Sequence, residues 1–312
     1  MNQFLQDVLK GLQSEPKYLQ SKYFYDKKGD KLFAKIMQCR EYYLTRCELE
    51  IFSKQTKKIA DLIIAQHHHL DVVELGPGNA VKSIYLLKEL YKNKAIGTYF
   101  PVDISTNIIN YLQKKLIKKL PKIYIRGLNG EYLAMLDEAK KISNNIKLVL
   151  FLGSNIGNIP KDEVVDFCKT LRGSLSAGDL LFIGIDLKKN PNKIRAAYDD
   201  ADGYTKKFNL NLLSRINKEL NGNFKVRNFE HYATYDPATG ACRSFLVSLK
   251  NQDILIDNTQ IHFAKNESVF MEISQKYTLE ETFEIANHSG FEPITYFPDR
   301  KKWFADVIWR CV

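Results

Sequence analysis

Apolar residues recur along the 312-residue chain in two different rhythms. Between residues 70 and 186, short apolar runs alternate with longer stretches in which apolar side chains return every three to four positions. The first rhythm predicts strands and the second amphipathic helices. Strands are expected over 71–75 (DVVEL), 98–102 (TYFPV), 123–125 (IYI), 147–151 (KLVLF) and 180–185 (LLFIGI), with helices over about 80–92, 105–119, 131–141 and 161–174. Such alternation is the pattern of an α/β fold, a parallel sheet covered on both faces. Near the end, TLEE at 278–281 offers a capping box for a helix that stops at Gly290, and strands follow over 292–297 and 303–309.

Two stretches fall outside this alternation. The first sixty or so residues look largely helical around a Tyr-rich turn, and 191–277 joins a helical segment, 203–220, to strand-like runs at 226–235 and 242–249. An insertion of that length with so regular a pattern is not a loose loop. Both pieces are expected to build one cap domain over the C-terminal edge of the sheet, where ligands bind in open α/β folds.

Composition changes this picture little. With 45% apolar residues the chain can fill a core. Gln6 and Asp7 interrupt the first residues where a secretion signal would be continuous, and the longest apolar runs fall far short of the roughly 20 residues that span a bilayer. No membrane partner is expected. Five scattered cysteines, an odd number without a Cys-x-x-Cys pair, fit a reducing cytoplasm. The triplet His67, His68 and His69 lacks a complementary ligand cluster, so no metal is expected. A net charge of +10 and the basic run 114–122 raise the question of nucleic acid. Leu112, Leu116, Ile117 and Leu120 recur at helical spacing among those lysines, which makes the charges the wet face of a helix.

The candidate chemistry begins at the end of the first strand, VVELGPGNA over 72–80. After Glu74 the chain turns on Gly76, Pro77 and Gly78, where missing Cβ atoms let a ligand approach bare backbone. Position 81 is Val, so the third glycine of a dinucleotide fingerprint is absent, and a nucleoside without phosphates fits better. Asp103, at the end of the second strand, can clasp ribose hydroxyls, while Glu131 and Tyr132 in GEY can hold adenine by its amine and stack on it. These elements favour an S-adenosylmethionine pocket.

The chain resembles the histidine-specific Nα-methyltransferases of ergothioneine biosynthesis, which trimethylate L-histidine to hercynine. The likeness runs through YFYDKKGDKLF (23–33), EYYLTR (41–46), ELGPGNAVKS (74–83), PVDIS (101–105), LGSNIGN (152–158), residues 195–220 and MEISQKY (271–277). It implies a Rossmann-like methyltransferase sheet with a second, smaller α+β substrate domain. The expected division is 1–69 for the N-terminal part of the substrate domain, 70–190 for the cofactor domain, 191–277 for the completing insertion and 278–312 for the return to the sheet. The resemblance implies that Gly76, Lys82, Asp103, Glu131, Tyr132 and Gly153 line the cofactor pocket. It also implies Tyr42, Asn158 and Tyr198 around the α-amino and carboxylate groups, as the catalytic set, and Tyr25, Glu272 and Ser274 facing the imidazole. Pro77, Asn79, Glu131 and Asn155 depart from the residues usual in those motifs.

Methyl transfer to an amine needs a neutral nitrogen lone pair aimed at the methyl carbon. Asn158 can accept a hydrogen bond from that nitrogen, and Tyr42 and Tyr198 can orient the carboxylate, leaving positioning and desolvation to supply the rate. Tyrosine faces also tolerate the permanent cation of a trimethylated product, by roughly 0.5–2 kcal/mol per contact. Glu272 and Ser274 alternate along a strand and so share a face that can bracket an imidazole. The substrate expected is therefore a small amino acid, histidine ahead of tryptophan, bound by a monomer. A nucleic-acid methyltransferase would carry an Asn/Asp-Pro-Pro-aromatic motif where GSNIGN stands at 153–158. A non-catalytic sensor that keeps both pockets without turnover is the remaining alternative.

Overall fold

The computed structural model describes residues 2–121 and 123–312. Met1, the first residue of the expected N-terminal part, and Lys122, the last of the basic run, lie outside the described residues. The chain divides into two compact units, one comprising Leu44–Lys188 with Gln275–Val312 and the other Met1–Tyr43 with Lys189–Ser274.

The larger unit is built on one sheet. Its strands lie in the order Phe291–Pro298, Phe304–Cys311, Leu180–Asp186, Lys147–Phe151, Leu70–Leu75, Ile96–Asp103 and Tyr124–Ile125, with Leu128–Asn129 also paired to Ile96–Asp103. From Leu180–Asp186 to Tyr124–Ile125 every pairing is parallel, and Phe304–Cys311 runs antiparallel to both of its neighbours. Leu70–Leu75 is buried along its whole length, as a strand covered on both faces must be. Val73, Phe100, Val149, Ile183 and Trp309 belong to the core cluster. The expected strands are all present. The short pair Leu128–Asn129 is an addition, too brief to leave a pattern.

Helices Ser83–Lys92, Thr106–Lys119, Tyr132–Ile142 and Val164–Gly173 stand where periodicity puts them. Ser105 caps the second by accepting from the Ile108 amide. On Thr106–Lys119, Ile109, Leu112 and Leu116 are buried, so the described lysines of that helix form its outer face. The capping box at TLEE is formed: Thr278 accepts from the Glu281 amide and Glu281 Oε2 from the Thr278 amide at 2.8 Å, and Gly290 follows the helix at φ +81°.

The smaller unit gathers helices Gln3–Gln13, Lys27–Ile36, Pro191–Ala197 and Tyr204–Glu219 with a three-stranded sheet in the order Ser268–Gln275, Ala241–Ser248 and Phe229–Asp236. A hairpin, Gln252–Ile256 with Thr259–Phe263, completes it. Phe4, Val8, Leu12, Phe24, Phe208, Leu212, Ile216, Phe263 and Met271 form its core. Asp26 and Asn190 cap their helices with side-chain oxygens, and Pro191 occupies a first-turn position where its missing N–H costs nothing.

One expected boundary moves. The helix Leu44–Gln66, assigned by sequence pattern to the N-terminal part, belongs to the sheet unit, so the division falls at Tyr43 and Leu44 rather than at residue 69. The reason is packing: Ile51, Phe52, Ile59 and Ile63 are fully buried, Phe52 meets Phe182 with ring centroids 5.7 Å apart, and Gln55 donates to the Pro298 carbonyl at 2.7 Å. The units also divide after Lys188 and after Ser274.

Thr278→Ala removes one half of a formed capping box and is expected to cost about 1 kcal/mol. A fall in the urea midpoint with an unchanged slope would record it, and an unchanged midpoint would contradict it.

Candidate active site

In the larger unit, the candidate residues gather at the C-terminal ends of the parallel strands. After Leu70–Leu75, Gly76 turns at φ +66° and donates its N–H to the Val102 carbonyl at 2.9 Å. A Cβ on Gly76 would lie 2.8 Å from Tyr132 Oη, so glycine is required both by conformation and by space. Gly78, at φ +53°, has nothing within 4 Å of where a Cβ would stand, leaving its backbone open to a ligand. After Lys147–Phe151, Gly153 turns at φ +76° and Ser154 at φ +61°. A non-glycine residue held in that region marks a turn constrained by its surroundings.

Asp103 closes the second strand and accepts the Ser105 amide at 2.8 Å, which fixes its carboxylate at the strand's end. Glu131 precedes helix Tyr132–Ile142 without capping it and is exposed, so its carboxylate is not spent on the helix. Tyr132 stacks edge-on against Phe151, and burial, with the charges of Asp103 and Glu131 behind it, pushes its phenol up to about 12. It remains a neutral donor and acceptor at any physiological pH. Gly76, Asp103, Glu131 and Tyr132 thus form one neighbourhood.

Lys82 and Gly153 are joined through a residue that sequence reasoning missed, Glu48 on helix Leu44–Gln66. Its carboxylate forms an ion pair with Lys82 Nζ and accepts the Gly153 N–H at 2.7 Å. Two further buried carboxyls lie nearby. Neither oxygen of fully buried Asp306 meets a donor, and burial followed by the charge of Glu48 raises its pKa well above the ordinary value. Glu74 accepts from Tyr99 Oη at 2.5 Å, and burial pushes its pKa up to about 7. One ammonium faces three carboxyls, and protonation keeps the group near neutrality, as low-dielectric surroundings demand.

Asn158 also belongs to this unit, exposed at the end of the short turn Asn155–Asn158. That turn is set by close packing: a Cβ on Gly157 would lie 2.8 Å from the Gln275 carbonyl oxygen.

The other five candidates, Tyr25, Tyr42, Tyr198, Glu272 and Ser274, belong to the smaller unit. Tyr198 Oη and Ser274 Oγ are 2.6 Å apart, both residues buried, and Glu272 stands two residues before Ser274 on the same strand, half-buried. The backbone carbonyl of Tyr198 accepts from His231 Nε2 at 2.9 Å, so that tyrosine is held at both ends. Burial lowers the pKa of His231, leaving it neutral with the proton on Nε2. Asp200 then caps the next helix by accepting the Tyr204 and Thr205 amides, each at 2.7 Å.

A chain of edge-to-face and tilted rings links the tyrosines. Tyr42 lies 6.3 Å from Tyr198 and 6.3 Å from Phe33, and Phe33 and Phe208 lie 5.6 Å each from Tyr25. Phe33 and Phe208 were not singled out from sequence, because an aromatic at helical spacing reads as core. Among the described residues no cluster of three or more metal-ligating side chains occurs.

Residues 4–311 match the family model described as histidine-specific, S-adenosylmethionine-dependent methyltransferase. The chain belongs to that family. It is 30% identical to histidine N-alpha-methyltransferase of Mycolicibacterium smegmatis, over 94% of this chain and 90% of that one. It is 26% identical to ergothioneine biosynthesis protein 1 of Schizosaccharomyces pombe, over 89% of this chain but 37% of that one, and 28% identical to L-tryptophan methyltransferase trpM of Psilocybe serbica, over 91% and 86%. The protein is an S-adenosylmethionine-dependent methyltransferase, and its fold is the α/β, Rossmann-like one expected.

In this methyltransferase, Glu48 and Asp306 carried a signal that could have been seen. Glu48 interrupts the apolar stripe of Leu44, Ile51 and Phe52, and Asp306 interrupts the run FADVIW. Charged residues at core positions are rare unless paired.

The raised pKa of Glu74 has a definite sign. Its folded value of about 7 exceeds the ordinary 4.5, so its contribution to stability is complete below 4.5 and is lost as pH rises through 7. Between about pH 5 and about pH 8 the wild type is expected to lose roughly 3 kcal/mol relative to Glu74→Gln. Urea titrations of both proteins across that range check it; parallel pH profiles would refute it.

Proposed function

We propose that the enzyme methylates the α-nitrogen of free L-histidine, up to the trimethylated betaine hercynine. The reading is carried by the hydrogen-bonded pair Tyr198–Ser274 with Glu272 on the same strand, in a chain matched to the histidine-specific family over nearly its whole length. S-adenosylmethionine supplies a methyl group made electrophilic by its sulfonium.

The protein's task is to present a neutral amine and to exclude water. A chain-terminal α-amino group titrates at about 7.7–8.0, so the ammonium must lose one proton to solvent before each of the three transfers. Asn158 accepts a hydrogen bond from that nitrogen, and Tyr42 and Tyr198 hold the carboxylate with phenol donors. Glu272 accepts from an imidazole N–H, while Ser274, tied to Tyr198, meets the other ring nitrogen. Tyr25 covers the heterocycle. For the donor, Gly76 and Gly153 admit close backbone approach, Lys82 offers a positive charge, Asp103 takes the ribose hydroxyls, and Glu131 and Tyr132 hold adenine.

A second reading, Nα-methylation of tryptophan, draws on the resemblance to the Psilocybe serbica enzyme. Against it stands Glu272. An indole benzo ring offers that carboxylate no N–H to accept from, whereas an imidazole does. In this reading the protein acts as a monomer on a small molecule in the cytoplasm, with neither nucleic acid nor membrane as partner. Five buried cysteines, all free thiols, fit a reducing compartment, and no helix of the described residues is long and apolar enough to cross a membrane.

With labelled S-adenosylmethionine and the twenty free amino acids, mass spectrometry is expected to find trimethylated product from histidine alone. Label only in tryptophan would select the second reading, and binding of both ligands without product would reveal a sensor. Glu272→Ala is expected to raise the histidine KM about 10-fold to 100-fold, the loss of one hydrogen bond to a charged group, with S-adenosylhomocysteine affinity unchanged. Asp103→Ala is expected to weaken S-adenosylhomocysteine about tenfold with little change in histidine KM. Equal losses in both affinities for either variant would contradict the assigned roles.

A further inference from the structure

Glu48 has the properties of a group that acts on a ligand through other residues. Its side chain is 1% exposed, whereas Lys82, to which it is paired, is 21% exposed. A ligand can therefore reach the lysine but not the carboxylate. The two oxygens of Glu48 divide their work: Oε2 takes the ammonium of Lys82, which follows the first-strand turn, and Oε1 takes the N–H of Gly153, which opens the turn after Lys147–Phe151. Those turns come from different strands and have no covalent connection shorter than seventy residues.

The surroundings make room for that carboxylate at some cost. Gly184 lies within strand Leu180–Asp186, where glycine is unfavourable, yet a Cβ there would overlap Glu48 Oε1. Both oxygens of buried Asp306, on the neighbouring strand, lack a hydrogen-bond donor, and burial, with the charge of Glu48, raises its pKa. A buried carboxylate held by donors from two separate segments has little freedom of position.

We propose that Glu48 is a positioning residue for the methyl donor: it clamps the Lys82 and Gly153 turns in the arrangement that receives the amino-acid end of S-adenosylmethionine, and touches no ligand itself. This rests on the assignment of Lys82 and Gly153 to the donor pocket made above. A purely structural carboxylate would lower stability when replaced and leave donor affinity in the folded enzyme alone. A positioning one changes donor affinity through Lys82.

The test is calorimetric titration of S-adenosylhomocysteine into wild type, Glu48→Gln, Lys82→Met and the double variant, with histidine KM measured alongside. Glu48→Gln keeps the size and the acceptor toward Gly153 but loses the charge that holds Lys82. It is expected to weaken S-adenosylhomocysteine about tenfold while histidine KM at saturating donor stays within about twofold. In the Lys82→Met background the same change is expected to have little further effect, since the lysine it orients is gone. Glu48→Asp, with its carboxylate one methylene short of both partners, is a second variant and is expected to lose affinity in the same direction. Unchanged affinity in Glu48→Gln and Glu48→Asp overturns the proposal. So does full additivity with Lys82→Met. A wild type that does not bind S-adenosylhomocysteine would instead overturn the donor-pocket assignment beneath it, with histidine binding in the same calorimeter separating the two failures.

Discussion

A single buried carboxylate, Glu48, joins parts of the larger unit that the sheet alone would leave independent. The parallel strands deliver the Gly76 and Gly153 turns to one edge, but a turn at a strand end has few contacts of its own. Strand pairing ends at Leu75 with Val102 and Phe151 with Ile183, and the Gly76 N–H reaches back to the Val102 carbonyl. Beyond them the Glu48 carboxylate, accepting from Lys82 and from the Gly153 amide, supplies the next constraint. Placing that carboxylate required burying it on a helix otherwise apolar on its inner face, and the ammonium and amide it meets are what make burial tolerable.

The same reasoning explains why three carboxyls coexist so closely. Glu48, Glu74 and Asp306 share one nearby cation, and full ionisation would leave two uncompensated charges in the interior. Burial raises the pKa of Asp306 well above the ordinary value and that of Glu74 to about 7, which lowers the charge the interior must hold beside the Glu48–Lys82 pair. Tyr99 then serves Glu74 by donating its O–H to a buried oxygen. Here hydrogen bonding and protonation take the place that water would have on the surface.

The smaller unit solves a different problem, holding neutral polar groups within an aromatic lining. Tyr198 is fixed at its backbone by His231 and at its hydroxyl by Ser274, and its ring adjoins Tyr42. Tyr42 adjoins Phe33, which with Phe208 supports Tyr25. Rings packed edge to face keep their orientation without spending hydroxyls on one another. The ring faces offer weak attraction for a cation.

The local chemistry of the chain was legible from its order of residues. Period-two and apolar runs marked each strand of the sheet unit except Leu128–Asn129, TLEE marked its capping box, and Gly-Pro-Gly after Glu74 marked a turn with backbone at positive φ. Those features depend on neighbours a few positions apart, which sequence displays directly. Boundaries and partners were another matter. Helix Leu44–Gln66 looks like a continuation of the N-terminal helices until Phe52 and Ile59 are seen buried with the sheet unit. Glu48, Asp306 and Gly184 stand 122 or more residues apart along the chain, and only packing puts two carboxyls and a missing Cβ together. Sequence settled which residues could turn, cap or carry charge. Tertiary structure decided which charge survives burial, because that depends on the donors the fold brings within hydrogen-bond reach.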